Sequence, residues 1–147
     1  MTNPIEHQSL DRFPFISTDK LRYGDTDRQG HINNAVFMTF LETGRVELLY
    51  RPQSPLHDEN AEFVLANINL NLLGEIQWPG DVQIGTSVSK IGNSSMTLYQ
   101  QIFQNGGCVA SAQSVVVQMN TVTRKSQALS ESARAVLAAL LLKIENV

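Results

Sequence analysis

The sequence predicts an α+β fold in which one face of a single antiparallel sheet is covered by a long helix. Three observations carry this expectation. Apolar residues fall at helical spacing from about Asn33 onward. After residue 61 the period changes to two and recurs through four runs. The breaks between those runs are short and carry turn residues. The chain has 147 residues, 42% hydrophobic and 17% charged. That length suits one domain over 1–147 with one core.

The elements follow in order. After an N-terminal extension of about 1–14, "FISTDKLRY" at 15–23 reads as a first strand. A polar stretch, "DTDRQGHINNAVF" at 25–37, comes next. Val36, Phe37, Phe40, Leu41, Gly44, Leu48 and Leu49 then mark a helix, with Asn33 or Asn34 as its cap. Pro52 should end it, because proline lacks the donor a helix needs and restricts the preceding residue. Residues 51–60 read as loop. In "EFVLANINLNLL", Val64, Ala66, Ile68, Leu70 and Leu72 point one way and Asn67, Asn69 and Asn71 the other. "DVQIGTSVSKI", "SMTLYQQIFQ" and "CVASAQSVVVQMN" are the remaining strands. Pro79-Gly80, Gly92-Asn93 and Asn105-Gly106-Gly107 separate the four, so neighbours should run antiparallel. A C-terminal helix is expected over about 129–144, capped by Ser130 or Ser132 and lined by Val136, Leu137, Leu140, Leu141 and Ile144.

Composition narrows the function classes. The formal net charge is -3 and no block of like charge occurs, which argues against a nucleic-acid binder. The single cysteine, Cys108, has no internal disulfide partner. The first residues carry acids and no apolar core, unlike a signal peptide, and no apolar run is long enough for a bilayer. A cytoplasmic protein is the expectation. There is no G-x-S-x-G elbow, no Walker loop, no C-x-x-C and no pair of histidines at helical spacing. No metal site is expected, since Asp25 and Asp27 lack a third ligand.

The polar stretch remains. It feeds a helix N-terminus, where free N–H groups and the helix dipole can polarise a carbonyl oxygen. A carboxylate beside that end can attack the carbonyl carbon or activate water. Gly30 allows a tight turn, and His31 can orient a substrate, a water or the carboxylate. A purely structural reading stays open: Asp27 as a helix cap or an ion partner of Arg22, Arg28 or Arg45, and His31, Asn33 and Asn34 as turn and cap residues.

"RYGDTDRQGHINNAVFMTFLETGR" resembles the N-terminal signature of hotdog-fold acyl-CoA thioesterases, in the group typified by 4-hydroxybenzoyl-CoA thioesterase. The shared features are an aromatic before the aspartates, D-x-D, Gly30-His31, the Asn33-Asn34 pair, and Glu42 with Arg45 along the helix. The P-G-D turn, the G-x-S-S strand start reaching Ser95, and "VVVQMNTVTRKSQAL" resemble the family more weakly. The same loop is similar to the D-x-N-x-H-x-N-N motif of plant acyl-ACP thioesterases, with Gln29 where that motif has asparagine.

The resemblance implies a five-stranded antiparallel sheet wrapped around a long central helix, followed by a C-terminal helix. It implies an acyl-CoA thioester hydrolase with Asp27 as nucleophile or general base, and an oxyanion donor among the backbone amides of about His31 to Asn34. His31, Asn33 and Asn34 complete the implied site. CoA enters as substrate, with no separate cofactor. Lys90, Ser95, Arg124 and Lys125 are its candidate contacts, and Arg28 and Arg51 are further cations. Homodimers, or tetramers made of two dimers, are implied; nucleic acid and membrane insertion are not. The chemistry suits so sparse a site, because a thiol with a pKa of about 8.5 leaves readily as thiolate. Two rivals are a hotdog enoyl-CoA hydratase or dehydratase, whose D-x-N-P-x-H motif shares the Asp-to-His spacing, and a non-catalytic acyl-CoA-binding protein. Glu42 is expected to form a helix salt bridge with Arg45. Phe37, Met38, Phe40 and Phe63 line either the acyl pocket or the core.

Overall fold

A computed structural model describes residues 7–51 and 53–142. Strand β1 (Phe15–Lys20) leads through a 3-10 turn (Tyr23–Asp25) to helix α1 (Asn34–Leu49). Strands β2 (Ala61–Leu72), β3 (Asp81–Ile91), β4 (Ser95–Gln104) and β5 (Gly107–Asn120) follow, and helix α2 (Glu131–Ala138) comes last. The five strands form one antiparallel sheet in the order β1-β3-β4-β5-β2. This is the expected α+β architecture.

Helix α1 lies on the sheet because its apolar stripe matches the sheet's apolar face. Phe37, Phe40 and Leu41 are buried with Val82, Ile84, Ile102 and Ala110, and Leu48 with Val88, Leu98 and Val116. The approach is closest at Gly44. A Cβ there would sit 2.8 Å from Gln100 Nε2, 2.9 Å from Ile84 Cγ2 and 3.0 Å from Thr86 Oγ1. Gln100 is fully buried and donates from Nε2 to Leu41 O (3.1 Å) and Thr86 Oγ1 (3.0 Å), tying the sheet to the helix backbone. Thr43 Oγ1 donates to Asp19 Oδ2 of β1 at 3.1 Å.

Part of the opposite face of the sheet, at Gly85, Tyr99 and Phe103, is covered by the chain before β1. Phe13 packs on Tyr99 and Phe103, and its ring occupies the space above Gly85. The Gln101 side-chain amide accepts from Gln8 N–H (2.8 Å) and donates to Gln8 O (2.9 Å), so that the segment is held as a strand would hold it.

Several boundaries differ from the sequence reading, each for a physical reason. The first strand stops at Lys20 rather than residue 23, because Leu21 N–H turns to Gly80 O and the Asp25 carboxylate takes the Arg22 N–H. Pro79-Gly80 does not make a β2–β3 hairpin: β2 pairs with β5 at the far edge, and residues 73–80 cross the end of the sheet to reach β3. Strand β2 bulges at Ala66, between Leu65 and Asn67. An extra residue reverses the alternation. Phe63 and Leu65 therefore share the helix side with Ile68 and Leu70, in place of Val64 and Ala66.

Helix α2 is also shorter than expected. Ser130 is its cap, accepting from Ala133 N–H at 3.0 Å. Beyond it, Leu140 O accepts from Val88 N–H and Leu142 N–H donates to Val88 O, because β1 begins too late to serve that part of β3. Leu137 is buried and Val136 and Leu140 are partly so, but Leu141 is 46% exposed. Pro52 and Ile144 lie outside the described residues.

Candidate active site

The polar stretch folds as a closed loop ahead of α1. Thr26 pairs with Ile32, and Asn33 N–H donates to Asp25 O at 2.8 Å. Inside that closure Asp27 N–H donates to His31 O (2.7 Å) and Gly30 N–H to Asp27 O (3.1 Å). Gly30 has φ of +84°, which glycine adopts without penalty. The two aspartates part company here. Asp25 is buried; its Oδ2 accepts from Arg22 N–H at 3.0 Å and its Oδ1 lies 3.6 Å from Arg22 Nη2. It is structural.

Asp27 is half-buried, and its oxygens differ. Oδ1 accepts from Gln29 N–H at 2.8 Å and His31 N–H at 3.2 Å, which fixes the carboxylate's orientation. Among the described residues nothing donates to Oδ2. Asp27 neither caps α1 nor pairs with Arg22, Arg28 or Arg45, so both structural roles open to it in the sequence are replaced by this one. The cap is Asn33, whose Oδ1 accepts from Ala35 N–H at 3.0 Å, while its carbonyl takes Val36 N–H at 2.9 Å. Among the described residues nothing accepts from the Asn34 N–H. One open amide thus stands at the positive end of a 16-residue helix, on the loop that carries the open carboxylate oxygen.

His31 faces a wall the sequence did not reveal. Its Nε2 is 3.1 Å from Glu75 Oε2, and its backbone bridges to Gln77. Ile32 N–H donates to Ile76 O at 3.0 Å. Residues 75–77 are themselves anchored to β4: Gln77 N–H donates to Gln104 Oε1 (2.9 Å) and Gln104 Nε2 to Gln77 O (2.7 Å). No local pattern marks this segment, because its partners lie far away in sequence. Beside it, Tyr23 and Trp78 meet edge to face at 5.4 Å and line a groove of about 740 Å³.

The implied CoA contacts are not gathered near Asp27 within one chain. Lys90 ends β3, Ser95 starts β4, and Arg124 and Lys125 follow β5. The loop sits at the other end of these strands, about 30 Å away along β3. Arg124 Nη1 is 3.7 Å from Glu62 Oε1, and Lys90, Arg124 and Lys125 are exposed. Glu42 and Arg45 do not form the expected salt bridge: Glu42 is exposed, Arg45 is buried, and no pair within 4.0 Å joins them. Phe37 and Phe40 belong to the core. Among the described residues no three His, Cys, Asp or Glu side chains converge as a metal would require. Nor is any described helix long and apolar enough to cross a membrane.

Comparison with known proteins supplies a family. An uncharacterized protein of Bacillus subtilis, YsmA, is 24% identical over 87 residues, which cover 59% of this chain and 59% of that protein. The structure of a predicted thioesterase from Bacillus stearothermophilus superposes with a TM-score of 0.79 at 28% identity, covering 89% of this chain and 98% of that one. A thioesterase from Thermus thermophilus, complexed with coenzyme A and Zn, gives 0.74 at 25% identity, covering 85% and 98%. The fold is thus the hotdog fold of such thioesterases. The sequence pattern that defines their superfamily runs through residues 21–139, from the end of β1 to the end of α2, and the chain belongs to the thioesterase-like superfamily.

Proposed function

We propose that the protein hydrolyses acyl-CoA thioesters to free acid and CoA, with Asp27 as nucleophile or general base and the Asn34 amide as oxyanion donor. The observation that carries this reading is the pair of uncommitted atoms on one short loop: Asp27 Oδ2 and the Asn34 N–H. Two loop amides hold Oδ1 and so aim Oδ2 without occupying it. The helix end stabilises the negative oxygen that develops when the thioester carbonyl is attacked. The thiolate then leaves without a strong general acid, and Asp27 needs no proton donor beside it. His31, held at Glu75, flanks the substrate, and Asn33 keeps the helix start open. CoA bound to the Thermus thermophilus relative supports a CoA thioester as substrate. The phosphates would be met by Lys90, Ser95, Arg124 and Lys125 of a second copy in a homodimer or homotetramer.

Asp27→Asn is the decisive variant, because the amide oxygen still accepts from Gln29 and His31. Thiol release should fall about a hundredfold or more while the melting temperature holds. Wild-type turnover in this variant would end the assignment. Incorporation of oxygen-18 from solvent into the Asp27 carboxylate during a single turnover would support the nucleophilic route over general base.

A further inference from the structure

Three ionisable side chains stand in a row on the loop and on the wall beside it. Thr26 lies across from Ile32, and Asp27 N–H donates to His31 O at 2.7 Å, so Asp27 lies across from His31. On its other side His31 bridges to Gln77, and Glu75, two residues away, shares the face of Gln77. Ile32 and Ile76 alternate with these residues and are buried. Asp27, His31 and Glu75 therefore turn away from the core on one face, in that order. Side chains directly opposite across such a pair start about 5 Å apart, a gap that one water can bridge.

Each member of the row is held. Asp27 Oδ1 accepts from Gln29 N–H and His31 N–H. Glu75 sits between anchors: Leu73 and Gly74 N–H both donate to Val109 O, Ile76 is fully buried, and Gln77 exchanges two hydrogen bonds with Gln104. That segment delivers the Glu75 carboxylate to His31 Nε2 at 3.1 Å, although the carboxylate itself is 65% exposed. An ion pair so exposed contributes little to stability. Its consequence lies in the ring. A carboxylate at Nε2 keeps the hydrogen there and leaves a lone pair on Nδ1. Among the described residues nothing meets Nδ1.

We propose that this row carries the second half of the reaction, the hydrolysis of an acyl–Asp27 anhydride, with His31 Nδ1 as the base and Glu75 as the positioning residue. This rests on the thioesterase reading above and commits it to the nucleophilic route. Asp27 Oδ2 bonds to the acyl carbon as the C–S bond breaks and the thiolate leaves. In the anhydride Oδ2 bridges two carbonyl carbons, and Oδ1 is a carbonyl oxygen facing the Gln29 and His31 amides. His31 stands opposite Asp27, so the water it holds adds to Asp27 Cγ. One proton of that water passes to Nδ1, and the π electrons of the Cγ–Oδ1 bond move onto Oδ1. The two amides that only orient the carboxylate at rest then receive a full negative charge, as an oxyanion hole. Collapse breaks the Cγ–Oδ2 bond, and the acid leaves as a carboxylate carrying Oδ2. Asp27 keeps the oxygen of the water. Its remaining proton and the one on Nδ1 pass to solvent.

The test follows thiol and free acid separately after rapid mixing, using whichever of acetyl-, hexanoyl-, dodecanoyl- and benzoyl-CoA wild type hydrolyses fastest. His31→Gln should release one thiol per site in a burst, without a burst of acid, and then turn over about a hundredfold more slowly. The quenched variant should carry the acyl mass on the peptide that holds Asp27. Glu75→Ala should show the same burst with a loss of about tenfold. Glu75→Gln, whose amide oxygen still accepts from Nε2–H, should restore most of the rate. The burst is the readout that a purely structural contact would not produce. In one turnover of wild type in oxygen-18 water, the label should enter Asp27 and leave the product acid unlabelled. No thiol release from any of the four substrates would sink the thioesterase reading, and this proposal with it. Where wild type does release thiol, three results overturn the proposal alone: His31→Gln without burst or acyl adduct, full turnover in Glu75→Ala, or label in the product acid.

Discussion

Gly44 sits in the middle of a helix, where alanine would ordinarily gain about 1 kcal/mol in propensity. Here the added methyl would press on Gln100, Ile84 and Thr86, all fully buried. Overpacking of this kind costs about 1–3 kcal/mol, so Gly44→Ala should lower the urea midpoint despite the better helix former. Tyr99 makes a different statement. Its phenol is buried, donates to Gln101 Oε1 at 2.9 Å, and has its pKa pushed from 10.0 up to about 12, by burial first and by Cys108 second. In the unfolded chain the same group ionises at its ordinary value. Between pH 10.0 and about 12 the unfolded state therefore holds fewer protons than the folded one, and stability should fall as pH rises through that window. Denaturant titrations across it should show the loss in wild type and a weaker slope in Tyr99→Phe. At this scale the sequence was legible where chemistry is local. The turn at Gly30 and the Asn33 cap follow from residue type and spacing, whereas the choice of Asp27 as the candidate carboxylate came from the family resemblance. That Asp25 is the structural aspartate rests on a turn that closes onto Arg22, three residues back, which residue type alone does not announce; that Glu75 faces His31 depends on a contact across the fold.

The two helices begin in the same way at the level of elements, each with a side-chain oxygen accepting from the first turn. Replacing either cap by alanine should cost about 1 kcal/mol. The consequences should separate: Ser130→Ala should lower stability and leave thiol release unchanged, while Asn33→Ala should reduce both, since α1 begins at the candidate site. Parallel melts and thiol-release assays check this. Strands β3, β4 and β5 were legible because short turns and clean alternation agree. Strand β2 was only half legible. Its alternation reads through Ala66 as if unbroken, and a bulge leaves no mark in the order of residue types. The end of α2 was misread because Leu140 and Leu141 continue a helical pattern, whereas the free edge of β3 at Val88 draws the chain into the sheet. Edge hydrogen bonding overrides propensity there, and only the assembled sheet reveals that the edge is free.

Considered as a whole, the molecule places its candidate chemistry at one end of the sheet and its candidate phosphate contacts, Lys90, Ser95, Arg124 and Lys125, at the other. Strand β2 forms an edge of that sheet, with Leu65 and Leu72 exposed at 42% and 47%. An uncovered edge with apolar side chains is a ready pairing surface. Light scattering should accordingly give at least twice the mass of the 16.3 kDa chain, and a monomeric mass would remove the second copy from the site. The sheet order was beyond the sequence, because local turns say nothing about which distant strands meet. The separation of Asp27 from Arg124 also has a genetic consequence. If each reaction centre borrows its cationic contacts from a neighbour, two different defects need not add up to a dead enzyme. Chains carrying Asp27→Asn and chains carrying Arg124→Glu, each impaired alone, should regain activity when unfolded together and refolded as a mixture, since random pairing leaves about a quarter of the centres with both parts unaltered.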